Sequence, residues 1–310
     1  MEFWRDKNWD FLKYRTFAFI FSGILIFAGV VSLAIHGGPR YGVDFTGGRV
    51  LEISFGDKLP DISKVRDLLE ANNWHGVTVQ TVRDYPWMLF KVPMKLDEQY
   101  PDFSEKLLEV LRMHFKSSEG YKIEILSNEK VGPKVGAELR RKALWAVLLA
   151  LAAMLLYITV RFQFRFGVAS VVALFHDAFI TFGMLSILNR EITLPIVAAL
   201  LTIVGYSIND SIVVSDRIRE NIPKLRRLPL YDIVNKSLNQ VFSRTIITSL
   251  TTLLVILSIL ILGGPVIFDF ALALFIGVII GTYSSIFIVS PIVVQWEKWF
   301  PKRVGAAARR

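Results

Sequence analysis

Six stretches of this chain are apolar for long enough to cross a bilayer, and that limits the fold more than any other feature. A hydrocarbon core of about 30 Å takes roughly 20 mostly apolar helical residues. Residues 17–36, 143–160, 166–188, 192–215, 245–262 and 270–294 meet that length. Backbone polar groups in lipid must be satisfied within the segment, so each stretch is expected to be a helix. The first is too long for the apolar part of a cleaved signal peptide, and no small-residue cleavage motif follows before Gly37-Gly38-Pro39. Composition agrees: 53% of the 310 residues are hydrophobic, with a mean hydropathy of +0.46. Residues 37–140 hold 15 basic and 16 acidic side chains, so the net charge of +9 sits wholly in the apolar remainder. A nucleic-acid binder with a pI near 9.7 would line one polar face with its basic residues. Here they flank the spans instead, and no nucleic-acid partner is expected. Cysteine is absent, which excludes disulfides, a thiol nucleophile and Cys-based metal sites.

The flanks set an orientation. Arg5, Lys7, Lys13 and Arg15 precede the first span, and Arg161 and Arg165 lie between the second and third. Arg217, Arg219, Lys224, Arg226, Arg227 and Lys236 lie between the fourth and fifth, and Lys298, Lys302, Arg303, Arg309 and Arg310 follow the last. The opposite connections, residues 189–191 and 263–269, hold one basic residue between them. By the positive-inside rule both termini are cytoplasmic and residues 37–140 are extracytoplasmic; long loops such as this one escape the charge rule. The basic cytoplasmic loops also suit anionic lipid headgroups.

Residues 37–140 read as a folded α+β domain. Val50-Leu51-Glu52-Ile53-Ser54-Phe55 is strand-like, and Val77-Thr78-Val79-Gln80-Thr81-Val82 alternates. A further apolar run, 87–92, follows a turn at Asp84-Tyr85-Pro86, and Tyr121-Lys122-Ile123-Glu124-Ile125 alternates again. Between them, Ile62, Val65, Leu68 and Leu69 share one helical face behind the N-cap candidate Asp61, and Phe103, Leu107, Leu108, Leu111 and Phe115 share another. The order βαββαβ is the split-βαβ, ferredoxin-like pattern. The expected division is a cytoplasmic N-terminus with the first helix (1–36), the outer domain (37–140), helices two to six (141–296) and a cytoplasmic tail (297–310), of which 305–310 reads as frayed.

No GxxxxGK[ST], HExxH or GxSxG motif is present, and the four histidines are scattered, so no enzyme chemistry, cofactor or metal site is expected. Gly47-Gly48 is not followed by a helix and reads as a turn into the first strand. The informative residues are polar groups inside spans, where they are costly and therefore functional candidates. His176 and Asp177 lie midway along the third span. Asn209 and Asp210 lie in the fourth, where Ser207 and Ser211 complete one polar face able to hold water. Arg244 stands where the fifth span begins, followed by Thr245, Thr248, Ser249, Thr251 and Thr252, whose hydroxyls are expected to line a polar path. Asp177 also suits an interhelical hydrogen bond, Arg244 a side chain reaching to the interface, and the Gly277–Gly281 pair close helix packing.

Taken in order, these motifs resemble the SecD/SecF family, on its SecF side, itself akin to the RND transporters. The likeness rests on Gly42-Val43-Asp44-Phe45-Thr46-Gly47-Gly48, Val131-Gly132-Pro133-Lys134-Val135-Gly136 and Phe175-His176-Asp177. It continues through Gly205-Tyr206-Ser207-Ile208-Asn209-Asp210-Ser211, Asp216-Arg217-Ile218-Arg219-Glu220-Asn221, Ser243-Arg244-Thr245 and Gly281-Thr282-Tyr283-Ser284-Ser285. The resemblance implies work with SecD and the SecYEG channel, drawing an unfolded preprotein outward on a proton or sodium gradient. It implies that Asp210 and Arg244 form the ion relay, with Asn209 in the place where SecD carries a further acid. Two other readings stay open on the residues: half of an RND-like exporter of lipids or small molecules, and a non-transporting scaffold whose outer domain binds a partner.

Overall fold

The computed structural model describes residues 8–81, 85–116, 118 and 120–300. Arg5, Lys7, Val82, Asp84 and the tail 301–310 lie outside the described residues. A 3₁₀ turn, Phe11–Tyr14, leads into α1 (Arg15–Ile35), and a single helical turn, α2 (Val43–Thr46), opens the α+β part. There follow β1 (Gly48–Gly56), α3 (Ile62–Ala71), β2 (Thr78–Thr81), β3 (Trp87–Pro93), α4 (Met94–Gln99), α5 (Phe103–His114) and β4 (Tyr121–Val131). The apolar part comprises α6 (Pro133–Arg161), α7 (Phe164–Ile187), α8 (Leu194–Lys224), α9 (Leu230–Leu262), α10 (Gly264–Ser284), a π-turn (Ser285–Val289) and α11 (Ser290–Trp299). Among the described residues six helical segments are long and apolar enough to cross a membrane, as the sequence predicts.

The sheet is antiparallel throughout, in the order β2-β3-β1-β4. Alternation decides its faces: Leu51, Ile53 and Phe55 of β1 and Met88, Phe90 and Val92 of β3 point to one side. There they meet Val65 and Leu69 of α3 and Phe103, Leu107 and Leu111 of α5 in one buried cluster. The short helix α4 is an addition that the periodicity does not predict. It brings fully buried Asp97 to Arg49, whose Nε donates to Oδ1 at 2.5 Å, and Lys130 Nζ of β4 lies 2.6 Å from Oδ2. Arg49 also donates to Asn128 Oδ1 at 3.1 Å. Three elements, β1, α4 and β4, are thereby pinned at one point.

Several helices outrun their hydrophobic stretches. The fifth begins at Leu230 rather than 245, so Arg244 lies 14 residues, about 21 Å, into α9 rather than at its start. Hydropathy misses this half because it is amphipathic: Ile233, Val234, Ser237 and Leu238 are buried, while Asn235 and Asn239 hold the N-terminal segment. Asn239 Oδ1 accepts from Trp9 N at 2.8 Å, Asn235 Oδ1 accepts from Phe11 N at 2.9 Å, and both amides donate to Trp9 O. Likewise α8 continues past Ser215 to Lys224, and α6 starts at Pro133, ten residues before its apolar run.

The seven-residue motif around Asp44 is where the outer part meets the spans. Gly42 N donates to Ile192 O at 2.9 Å, and Ile192 N donates to Arg40 O at 2.6 Å. Asp44 Oδ2 accepts from Leu194 N at 2.9 Å, satisfying a free N–H at the first turn of α8. Gly47 (φ +80°) and Gly48 (φ +142°) then turn the chain into β1 through backbone that other residues rarely adopt, so the turn read from the sequence is what forms.

For Asp97, burial disfavours the charged carboxyl, but the hydrogen bonds from Lys130 and Arg49 outweigh it and hold the group below its ordinary value. Its contribution to stability is therefore complete above about pH 4 and lost as pH falls through the folded-state value. Asp97→Asn leaves Arg49 buried without its partner and is expected to destabilise the outer domain by about 3–5 kcal/mol. Hydrogen exchange of the β1 amides measures it; unchanged protection would mean that the ion cluster is dispensable.

Candidate functional site

Helix α8 is the natural carrier of a site, because it is buried along most of its length. Its packed face runs through Ile196, Ala199, Leu200, Ile203, Ser207, Asp210, Ser211 and Val214. Close approach of α10 seals it. A Cβ on Gly281 would stand 2.9 Å from that of Ser207, and a side chain on Gly277 would meet Ile203. This is the small-residue packing that the Gly277–Gly281 spacing predicts.

Asp210 is 2% exposed, with Ser249 of α9 as its hydrogen-bond partner: Ser249 Oγ donates to Oδ2 at 3.4 Å. Thr282 of α10 donates to Ser249 Oγ at 2.7 Å, so the acid is approached by a two-hydroxyl chain from two other helices. Among the described residues no cation lies within 4 Å of it. Ser211 Oγ and Ser215 Oγ further along α8, and Thr245 Oγ1 of α9 one turn before Ser249, are buried and have no hydrogen-bond partner among the described residues.

The other expected members are divided among different surroundings. Ser207 faces inward with Asp210 but donates to Asp177 Oδ2, at 2.5 Å. Asn209 turns the opposite way, into a polar cavity of about 510 Å³ between α8 and α9, where it is joined by Asp216, Arg217, Glu220, Gln240 and Arg244. Arg244 is exposed and forms no ion pair among the described residues, so the structure places it beside the acid-bearing helix without joining it to Asp210. The expected hydroxyl path along α9 does not form. Thr248, Thr251 and Thr252 donate to Arg244 O, Ile247 O and Thr248 O of their own helix and face outward. Of that group only Thr245 and Ser249 are buried, since the i−4 carbonyl satisfies an outward hydroxyl in lipid without any partner helix.

Asp177 lies on α7 and is 1% exposed. Ser284 Oγ of α10 donates to its Oδ2 at 2.7 Å, and His176 Nδ1 lies 2.8 Å from its Oδ1. His176 Nε2 lies 2.8 Å from Ser22 Oγ of α1. Sequence reasoning passed over Ser22, Thr282, Tyr283 and Ser284 as site members. Each is a hydroxyl inside an apolar span, which is the signal that marks them.

The fold and this site define a polytopic membrane protein with two carboxyls buried inside its helical bundle and a small α+β domain between its first two spans. Comparison with known proteins places it more narrowly. The family model for the protein export membrane protein SecD/SecF, C-terminal, matches residues 110–299, and that for the SecD/SecF GG motif matches 32–58. The protein translocase subunit SecDF of Thermus thermophilus is 46% identical over 301 residues, which is 94% of this chain but 39% of that protein. The protein translocase subunit SecF of Desulfurispirillum indicum is 40% identical, over 93% of this chain and 91% of its own length. The crystal structure of SecDF, a translocon-associated membrane protein from Thermus thermophilus, superposes with a TM-score of 0.79 at 43% identity, covering 94% of this chain and 39% of that one. The chain belongs to the SecD/SecF family.

Gly281→Leu is expected to force α10 off α8 and lower stability by about 1–3 kcal/mol, read as earlier thermal unfolding in detergent. Unfolding at the wild-type temperature would show that the close contact is not needed.

Proposed function

We propose that this chain is the SecF-type subunit of the Sec protein-translocation accessory complex. In this reading it works with SecD and the SecYEG channel in a bacterial or archaeal plasma membrane and promotes the export of unfolded preprotein on a proton or sodium gradient. The observation that carries the reading is the placement of Asp210: buried on α8 with one weak hydroxyl partner, on the helix whose other face lines a polar cavity where Arg244 is unpaired among the described residues. With Arg244 drawn against it the carboxylate is held; with Arg244 in the cavity the buried acid takes up a proton. Ser207, Ser211 and Asn209 are its polar surroundings, with His176 and Asp177 as a supporting pair. Each proton crossing a 100 mV potential supplies about 2.3 kcal/mol. The bond from Leu194 N to Asp44 Oδ2 supports a link from that cycle to the outer domain, since it joins the outer motif to the helix carrying Asp210.

The finer architecture belongs to the same proposal. The strand order β2-β3-β1-β4 with its βαββαβ connections supports a ferredoxin-like outer domain over 37–140. It lies between a 1–36 anchor and the 141–296 helices, with a 297–310 cytoplasmic tail. Both termini are cytoplasmic, and the basic loop after α8 meets anionic lipid. A second reading, half of an RND-like exporter, is favoured by a cleft of about 960 Å³ between α3–β2 and the α9–α10 turn, lined by Arg66, Trp74, Arg190 and Phe268. Its size suits a small ligand, since such pockets take roughly 300–1,000 Å³.

Asp210→Asn and Arg244→Met are each expected to assemble normally and to lose gradient-dependent export in membrane vesicles, while the ATP-driven early step continues. Export by Asp210→Asn at the wild-type rate would overturn the relay and favour the scaffold reading. For orientation, Lys122→Cys is expected to react with an impermeant thiol reagent from outside the cell, and Lys236→Cys to stay unlabelled. The absence of native cysteine makes each signal unambiguous; outside labelling at 236 would reverse the topology.

A further inference from the structure

The first and last spans enclose a groove at the end of the bundle where the basic flanks collect. Tyr283 Oη donates to Ala18 O at 2.7 Å and holds α1 against α10. Beside that bond, α1 and α11 leave a space of about 560 Å³ between them. Its lining is graded along the helix axes. Arg15 and Thr16 stand in the first turn of α1, and Trp299 is the last residue of α11. By helix rise, Phe19 and Ile20 lie about 6 Å further into the bundle along α1, and Ile292 about 10 Å further in along α11. Gln295 comes between Ile292 and the helix end. The groove is therefore polar at its mouth and apolar at depth.

The polar members of this lining lack partners. Arg15 is half-buried, yet among the described residues its guanidinium forms neither an ion pair nor a hydrogen bond. The Thr16 hydroxyl and the Gln295 amide form no side-chain hydrogen bond among them either. Two acids are near in sequence and both are engaged elsewhere. Asp10 accepts from Tyr231 Oη at 2.7 Å, and Glu297 bridges Arg165 at 3.0 Å. A guanidinium withdrawn from water in this way calls for an anion, and the chain supplies none.

We propose that this groove holds one anionic phospholipid, with its phosphate on Arg15, Thr16 and Gln295 and an acyl chain against Phe19, Ile20 and Ile292. The guanidinium fork matches two phosphate oxygens, and the hydroxyl and amide are further donors. Basic pockets between spans take acidic lipid headgroups for this reason. The order of the lining, charge at the mouth and hydrocarbon beneath it, is that of a phospholipid lying beside the helices. A free phosphate would meet the same donors but leave the apolar half unfilled. Trp299 stands at the mouth, where tryptophan suits the boundary between headgroup and chain. The site is distinct from the loop after α8 and belongs to the first and last spans. Only its leaflet rests on the orientation proposed above; the binding itself does not.

The test is tryptophan quenching in the full chain, reconstituted into vesicles of phosphatidylglycerol mixed with phosphatidylcholine, with bromine on the acyl chains of one lipid or the other. The Trp299 signal is the difference between each chain and the same chain carrying Trp299→Phe. Phosphatidylglycerol is expected to be favoured at Trp299 by about fivefold, the weight of one cation near an anionic headgroup. That preference is expected to fall to parity in Arg15→Gln and in Thr16→Asp, and to persist in Arg226→Gln, on the exposed loop after α8. Thr16 is exposed, so its variant reports even if Arg15→Gln fails to fold. Equal quenching by the two lipids in the wild-type chain overturns the proposal, as does a preference that survives Thr16→Asp. A preference lost equally in Arg226→Gln would make it a general attraction to the basic end. Quenching by neither lipid would mean that another helix or chain fills the groove. Either result removes the site. Outside labelling of Lys236→Cys would move the lipid to the other leaflet and leave the quenching as it is.

Discussion

A carboxyl inside a hydrophobic helical bundle must find its donors on other helices, and this requirement organises the packing of the spans. Asp177 and Asp210 are both within 2% of full burial. Neither helix bearing them can satisfy the acid from its own backbone, whose N–H groups are spent within the helix. The hydroxyl donors come instead from α8, α9 and α10, with α1 joined through His176, and they arrive only if those helices approach closely. Gly277 and Gly281 allow it for α10 on α8. Gly29 and Gly183 do the same for α1 on α7, where a Cβ on Gly29 would stand 2.8 Å from the other glycine's Cα. The small residues and the hydroxyls are thus two halves of one arrangement.

The α+β domain is stabilised by other means and attached at few points. Its core is an ordinary sheet-on-helix cluster with a buried ion group, Arg49–Asp97–Lys130, at the base of the sheet. Its connection to the spans runs through the backbone bonds between residues 40–42 and Ile192, the Asp44 cap on α8 and the ion pair of Lys91 Nζ with Glu191, at 3.5 Å. A cap is worth about 0.5–2 kcal/mol, enough to align α8 with the motif.

Much of the fold was legible because periodicity and length are local properties. The six spans, the four strands and the two helices α3 and α5 each announce themselves within one short continuous stretch of chain. The first half of α9 did not. Its stability comes from Ile233, Val234 and Leu238 packing on other helices and from Asn235 and Asn239 holding Trp9 and Phe11, contacts more than 220 residues apart in sequence. Among the polar residues, type and depth marked out Asp177 and Asp210 as candidates, but partnership was not readable. Ser207 looks like a neighbour of Asp210 and in fact bonds Asp177. Thr248, Thr251 and Thr252 look like a path and instead bond their own helix.

The sequence by itself determined that the chain is a bundle of apolar helices with one α+β insertion, and that Asp177 and Asp210 are carboxyls inside the spans, held there at a cost. Those follow from transfer free energies and repeat periods, which belong to single residues and their near neighbours. The tertiary structure decided which helices touch, and therefore which hydroxyl meets which acid. It decided as well that Arg244 stands in a polar cavity unpaired with Asp210, and that Thr282 and Ser284 of one helix lead to two different acids. The physical reason is that a hydrogen bond depends on distances of a few tenths of an ångström between helices far apart in the chain. Those distances are set by how glycines and bulky side chains interlock across the whole bundle.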